Sequence, residues 1–266
     1  MNHREFQEIV WQQGRLLYRD MPWRQDTAPY GILVSELMLQ QTQVERVIPK
    51  FNAFIERFPT LQSLAEAPLA DVLTLWSGLG YNRRAKFLHE AAKKVMADYN
   101  GRLPDTRKML VTLPGVGTNT AGAILAYGFN QPVAFVETNI RTVYFHHYFH
   151  DQALVSDKEL EELVAATLNQ EHPRQWYWSL MDYGAVLKKQ GIGRLDKSLH
   201  YKKQPPLKGS LREVRGLILK LLARGPMAEA TLIQQLPPDG RAQVALEGLL
   251  RDGLISQTAG QLHFTR

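Results

Sequence analysis

The chain contains no cysteine at all. That absence removes disulfides, thiolate zinc sites, thiol nucleophiles and cysteine-ligated iron–sulfur clusters from consideration. Long apolar runs are missing too: no window approaches the roughly 18 residues that a membrane-crossing helix needs, so no membrane partner is expected. The amino-terminal stretch MNHREFQEIVWQQGRLLYRD is charged and amphipathic and lacks the apolar block of a secretory leader, which makes the cytoplasm the expected compartment. Segments of strict apolar–polar alternation are scarce, which argues against a sheet-based architecture. Acidic excess is also absent. The 32 Lys+Arg outweigh 26 Asp+Glu for a formal net charge of +6, a balance that favours a polyanionic partner without requiring one.

What is present is a helical pattern. With 266 residues, 44% of them hydrophobic, the chain can build a large domain and a small one around real cores. Phe6, Ile9, Val10 and Leu17 mark a first amphipathic helix, and Ile32, Leu33, Leu37 and Met38 a second, read as running Gly31–Val44. Further helices fit Val47–Phe58, Leu69–Trp76, Arg83–Tyr99, Thr118–Phe129, Ile140–Phe149, Lys158–Leu168 and Trp176–Lys188. Pro or Gly stands in the breaks at Phe58-Pro59, Gly78–Gly80, Leu103-Pro104 and Pro114–Gly117. Residues 1–190 are therefore expected to form an all-α domain. Residues 191–208 are basic and irregular, as a linker or surface loop would be. In residues 209–266, helical patterns around Val214–Leu222, Ala230–Leu236 and Leu246–Leu250 precede a tail that alternates about Ala259-Gly260 like a β-hairpin. Three helices and a hairpin resemble a winged helix.

Two glycine-rich breaks suggest nucleic-acid contacts. In Leu113-Pro114-Gly115-Val116-Gly117 the glycines let backbone N–H groups converge just before a helix start, a geometry that suits a phosphate oxygen. An ordinary tight helix–helix turn uses the same residues. Gly78-Leu79-Gly80-Tyr81 carries an aromatic at its tip, which can wedge between bases or simply cover its own turn. Two acids stand out beside them. Glu36 lies in an apolar helix, with Gln40 and Gln43 at i+4 and i+7 on its face, a setting that keeps a carboxyl protonated near neutrality. Glu137 stands where another helix begins, a setting that favours the ionised form. One protonated and one ionised carboxyl is the pairing that cleaves glycosidic bonds, although by themselves the residues read more plainly as a helix cap at Glu137 and a surface acid at Glu36.

The string Ser35-Glu36-Leu37-Met38-Leu39-Gln40-Gln41-Thr42-Gln43-Val44 resembles the catalytic-acid helix of the MutY-type adenine glycosylases. Pro22-Trp23-Arg24, Gly78–Tyr81, Leu113–Gly117 and Met181-Asp182-Tyr183-Gly184-Ala185 follow in that family's order, so that the resemblance covers roughly residues 5–205. It implies a helix-hairpin-helix glycosylase fold with two helical lobes, one of about residues 25–125 and one of 1–24 plus 126–190. The partner it implies is double-stranded DNA bearing a mismatch or lesion, from which a base must be flipped to be reached. By position, Glu36 would protonate the departing base. Glu137 would stand for the family's catalytic aspartate, with Asn139 beside it. Gln41, Thr42 and Tyr81 would fill the gap in the duplex, and Trp23, Arg24 and Leu39 would wall the base pocket. Leu113, Gly115, Val116 and Gly117 would hold phosphate, with a monovalent or divalent ion near the Leu113 and Val116 backbone as an accompanying expectation.

The sequence departs from that family in five places. Glu137 is one methylene longer than an aspartate. Asn119 stands where bifunctional relatives place a Schiff-base lysine, so a monofunctional hydrolase without imine chemistry is expected. Trp178 replaces the Gln or Glu that holds adenine, offering a stacking face and one N–H donor. The four cluster cysteines are replaced at their spacing by Lys188, Leu195, Ser198 and Gln204, so no cofactor is expected, while Lys197, Lys202 and Lys203 remain to line a phosphate backbone. Finally, Gly209–Arg266 is too short for the Nudix-like domain with which such enzymes sense 8-oxoguanine. The expected activity is excision of adenine opposite 8-oxoguanine or guanine by a monomer. The alternatives are uracil, thymine opposite guanine, hypoxanthine or a modified purine, or a DNA-binding regulator without catalysis; a repair-protein partner would use the C-terminal region.

Overall fold

The computed structural model describes residues 1–152, 154–192 and 206–265. They fall into two compact units. The first comprises Met1–Leu33, Asp105–Thr112 and, within the described residues, 116–192; the second comprises Val34–Pro104, Leu113–Gly115 and 206–265. Among the described residues the chain thus passes between the units at Leu33/Val34, inside one helix, at Pro104/Asp105, and at both ends of the Leu113–Gly115 turn.

In the first unit, α1 (His3–Leu16) opens with a capping box: Glu5 N–H donates to the Asn2 side chain at 2.9 Å, and Asn2 N–H donates to the Glu5 carboxylate at 3.2 Å. Its buried stripe of Phe6, Val10 and Gly14 packs on α12 (Pro173–Lys189). The approach is close because Gly14 has no side chain; an added Cβ would stand 2.0 Å from Ser179 Oγ. On another side, α12 packs against α10 (Thr138–His147), where Gly184 lets the helices close until a Cβ would meet the Asn139 carbonyl oxygen at 2.1 Å. Phe6, Tyr144, Tyr148 and Trp176 knit α1, α10 and α12 through ring contacts, with centroids 4.9 to 6.1 Å from Phe6. Also in this unit are α2 (Pro22–Gln25), α8 (Arg107–Leu110), α9 (Thr118–Tyr127) and α11 (Asp157–Thr167). The short α2 and α8 escape a periodicity reading because four residues make barely one turn.

The second unit continues α3 (Pro29–Leu39) from Val34 and adds α4 (Val44–Arg57), α5 (Leu61–Glu66), α6 (Leu69–Trp76) and α7 (Arg83–Asp98). Phe54, Phe58 and Trp76 pack edge to face in its core. The C-terminal region belongs to the same unit: α13 (Leu211–Leu222), β1 (Met227–Ala228), α14 (Glu229–Gln234), α15 (Arg241–Arg251), β2 (Ile255–Thr258) and β3 (Gln261–Phe264). The tail forms the expected hairpin. Ala259 and Gly260 have φ of 49° and 77°, the left-handed pair that a two-residue turn between antiparallel strands demands. The sequence pattern misses β1, two residues long, which pairs antiparallel with β3 to give the sheet order β1-β3-β2.

One helix ends earlier than its sequence suggests. The pattern extends it to Val44, placing Gln40 and Gln43 on Glu36's helical face, but α3 stops at Leu39 and Gln41 turns left-handed at φ 56°. Arg84 is the cause. Its buried Nη1 takes the carbonyls of Leu37, Met38 and Gln40 at 2.7, 2.9 and 2.6 Å, oxygens that the next helical turn would otherwise use.

Candidate active site and nucleic-acid interface

Glu36 lies half-buried on α3, between the fully buried Ser35 and Leu37, in the second unit. Leu39, half-buried, ends the helix. Downstream, a compact turn assembles around Arg84. Its Nη2 donates to Thr42 Oγ1 at 3.1 Å and to the Gly80 carbonyl at 3.0 Å, and its Nε donates to the Tyr81 carbonyl at 3.4 Å. Arg84 thereby ties the Gln41–Thr42 corner to the Gly78–Tyr81 turn. Burial lowers the guanidinium's pKa to about 10, which leaves it charged at neutral pH. Gly78, Gly80 and Tyr81 all have positive φ, at 96°, 75° and 47°. For Tyr81 that is a strained conformation, costing about 1 kcal/mol, which the Arg84 bonds help to hold. Gln41, Thr42 and Tyr81, three residues singled out from sequence, are thus brought together. Within the same unit Gly115 (φ 77°) stands so near Phe87 that an added Cβ would come within 2.9 Å of the Phe87 Cβ, and its carbonyl accepts from Gln40 Nε2 at 3.3 Å. Leu113 is buried.

In the first unit, Val116 is buried and Gly117 is the exposed N-cap of α9, with extended backbone and open space around it. The start of α9 is therefore open to an anion. One residue into that helix, Asn119 accepts from the Val136 N–H at 3.4 Å and so braces the residue before Glu137. Glu137 is itself the N-cap of α10 but makes no capping bond with its side chain. Burial pushes its carboxyl up from 4.5 to about 7, against the opposing charge of Lys188. The sequence reads this acid as ionised at a helix start; in the fold, loss of water outweighs the helix end, and near pH 7 both forms are populated. Asn139 follows on α10, its backbone held against Gly184.

Arg24 and Trp178 also come together in the first unit. Arg24, only 6% exposed, pairs with the buried Asp182 at 2.6 and 2.9 Å, and Asp182 also takes Arg19 at 2.7 Å. The Arg24 guanidinium lies 5.3 Å from the ring centroids of both Tyr18 and Trp178. Trp23 is buried and Trp178 half-buried. Sequence reasoning quoted both motifs but missed that Arg24 and Asp182 are partners across 158 positions. The signal was there, as opposite charges inside two apolar motifs. Lys197, Lys202 and Lys203 lie outside the described residues. Among the described residues no cluster of three or more His, Asp or Glu side chains could hold a metal ion, and no helix is long and apolar enough to cross a membrane.

Residues 34–170 match the model of the HhH-GPD superfamily of base excision DNA repair proteins. The chain belongs to that superfamily, and it is a DNA N-glycosylase. Among its relatives is the adenine DNA glycosylase of Mycobacterium tuberculosis (strain CDC 1551 / Oshkosh), 36% identical over 94% of this chain and 89% of that protein. Among solved structures, a thermostable thymine-DNA glycosylase is similar with a TM-score of 0.62 and 28% identity, over 69% of this chain and 86% of that one. A trapped endonuclease III–DNA covalent intermediate shares the fold at a TM-score of 0.54 and 18% identity, over 77% and 91% of the two chains.

Proposed function

We propose that this glycosylase excises adenine facing guanine or 8-oxoguanine. The observation that carries the reading is the likeness to an adenine DNA glycosylase over 94% of the chain, with the Glu36 helix inside the matched region. In the proposed reaction Glu36 gives its proton to N7 of the extruded base. The bond from C1′ to the base then breaks, and its electron pair leaves with the base. Glu137, ionised, faces the oxocarbenium-like sugar and takes a proton from the water that adds to C1′. Asn119 cannot form an imine, so hydrolysis ends at an abasic site. The chemistry proceeds without a cluster: the chain has no cysteine to hold one.

A second reading keeps hydrolysis of the N-glycosidic bond and changes the base to thymine opposite guanine. Thymine has no N7, so the proton from Glu36 would go to a ring carbonyl oxygen. Trp178 favours it, since its ring, backed by Arg24 at 5.3 Å, presents a stacking face and one donor rather than the amide or carboxyl that would hold adenine's amino group. A single-turnover panel of labelled duplexes separates the two, with alkali to cleave abasic sites. Adenine facing 8-oxoguanine is expected to be cut first, and Glu36→Gln is expected to abolish cutting while DNA binding persists. Full activity in Glu36→Gln would remove Glu36 as the acid. Preferential loss of thymine would establish the second reading.

A further inference from the structure

Glu137 is delivered by a stretch of chain with no regular structure of its own. Residues 131–137 belong to no helix or sheet, yet Phe135 and Val136 are buried, and Glu137 itself is extended, with φ −116° and ψ 172°. A buried extended segment without a neighbouring strand must find partners for its backbone N–H and C=O groups elsewhere. Three side chains from three helices supply them. The Tyr177 hydroxyl, on α12, donates to the Val133 carbonyl at 2.9 Å and accepts from the Phe135 N–H at 3.4 Å. Arg107 Nη2, on α8, donates to the Ala134 carbonyl at 2.5 Å, and Asn119 Oδ1, on α9, accepts from the Val136 N–H at 3.4 Å.

These bonds follow the alternation of an extended chain, in which residues i and i+2 turn their polar groups to one edge and the residues between turn theirs to the other. One hydroxyl thus serves the edge of Val133 and Phe135, where a paired strand would otherwise lie. Arg107 and Asn119 serve the edge of Ala134 and Val136. Of the three side chains, Tyr177 is the one that grips the segment at two residues. Its ring adds to the hold, lying 4.3 Å from the Phe135 ring between centroids. Against α9, Phe135 is so close that a Cβ added at Gly122 would stand 2.5 Å from its own Cβ. Burial holds the Tyr177 phenol up, so near neutrality it keeps the proton that it donates.

Resting on the reading that Glu137 faces the sugar, we propose that Tyr177 is a positioning residue for excision: by gripping Val133 and Phe135 it fixes the path of the chain into Glu137, and with it the place of the carboxyl. Tyr177 itself has no part in bond cleavage. Misplacing a reacting group by about 1 Å can cost about a hundredfold in rate, and the loss of one of three grips should cost part of that.

Tyr177→Phe removes the hydroxyl and keeps the ring. Tyr144→Phe is its control, losing another buried hydroxyl of the same unit, one that meets Thr167 Oγ1 at 2.6 Å. Both are compared with Glu137→Gln and the unmodified protein in single-turnover excision, on the duplex that the unmodified protein cuts fastest. Tyr177→Phe is expected to lower the rate constant about tenfold, with DNA affinity and the final fraction cut unchanged. Tyr144→Phe should keep the rate. A second readout needs no DNA. Water admitted by a loosened segment would relieve the burial that holds the Glu137 carboxyl at about 7 against Lys188 of α12, the charge that faces it. The stability that Glu137→Gln gains between pH 5 and 8 in urea unfolding is therefore expected to shrink when Tyr177→Phe is also present. The proposal is overturned if Tyr177→Phe cuts at the parent rate while Glu137→Gln does not, or if Tyr144→Phe slows as much. A fall in the fraction cut at constant rate, or an undiminished pH-dependent gain, would overturn it too. Full activity in Glu137→Gln would instead remove the reading of Glu137 on which the proposal rests.

Discussion

For a single side chain such as Glu137, burial and catalysis pull in opposite directions. A carboxyl that ionises about 7 in the fold, against 4.5 in the open chain, holds its proton more tightly when folded. Its contribution to stability is therefore greatest below pH 4.5 and is lost as pH rises through about 7, a change of about 3 kcal/mol. Glu137→Gln removes that dependence. Urea unfolding should show the variant gaining on the unmodified protein as pH is raised from 5 to 8, and a constant difference would show that the carboxyl is not held in this way. Because the proposed role needs the ionised form, kcat/KM should rise with pH on a limb centred near 7. The acid's position was legible in the sequence from the motif around it. Its protonation was not, because the protein that displaces water from it comes from other segments.

Among the elements, the junction after α3 shows how one buried charge ties a helix end to a distant turn. Arg84 donates to the carbonyls of Leu37, Met38, Gln40 and Gly80, sharing Gln40 with Thr42 Oγ1 and Gly80 with Trp76 Nε1, and so binds the end of α3 to the turn before α7. Arg84→Met keeps the volume but takes the buried donor from the Leu37 and Met38 oxygens. A loss of about 3 kcal/mol in urea unfolding is expected, more than an exposed arginine would give. If the variant unfolds at the same urea concentration as its parent, the carbonyls find other partners and Arg84 is not what stops the helix. The helices themselves were readable, since α6 matches its sequence span of Leu69–Trp76 end for end. The end of α3 was not, because periodicity continues past Leu39 and the residue that interrupts it is 45 positions away.

For the whole molecule, the excess of 32 basic over 26 acidic residues predicts DNA affinity that falls steeply with salt. If Lys197, Lys202 and Lys203 lie along the phosphates, replacing all three with glutamine should lower the slope of log affinity against log salt by about 3. An unchanged slope would assign the three lysines to solvent. At this scale the two units hold different parts of the proposed chemistry: Glu36 belongs to the second, and Glu137, Asn119 and Asn139 to the first.

By itself the sequence determined whatever depends on near neighbours: apolar residues at helical spacing, glycines where φ must turn positive, the hairpin at Ala259-Gly260, and a motif order that points to one superfamily. Having no cysteine, it also ruled out a thiolate-held cluster. Only the tertiary structure decided what depends on distant residues. Asp182 meets Arg24 across 158 positions, and Arg212 meets Tyr81 across 131. Burial and hydrogen-bond partners are properties of the packed chain, and a local pattern carries no record of which distant side chain arrives to supply them.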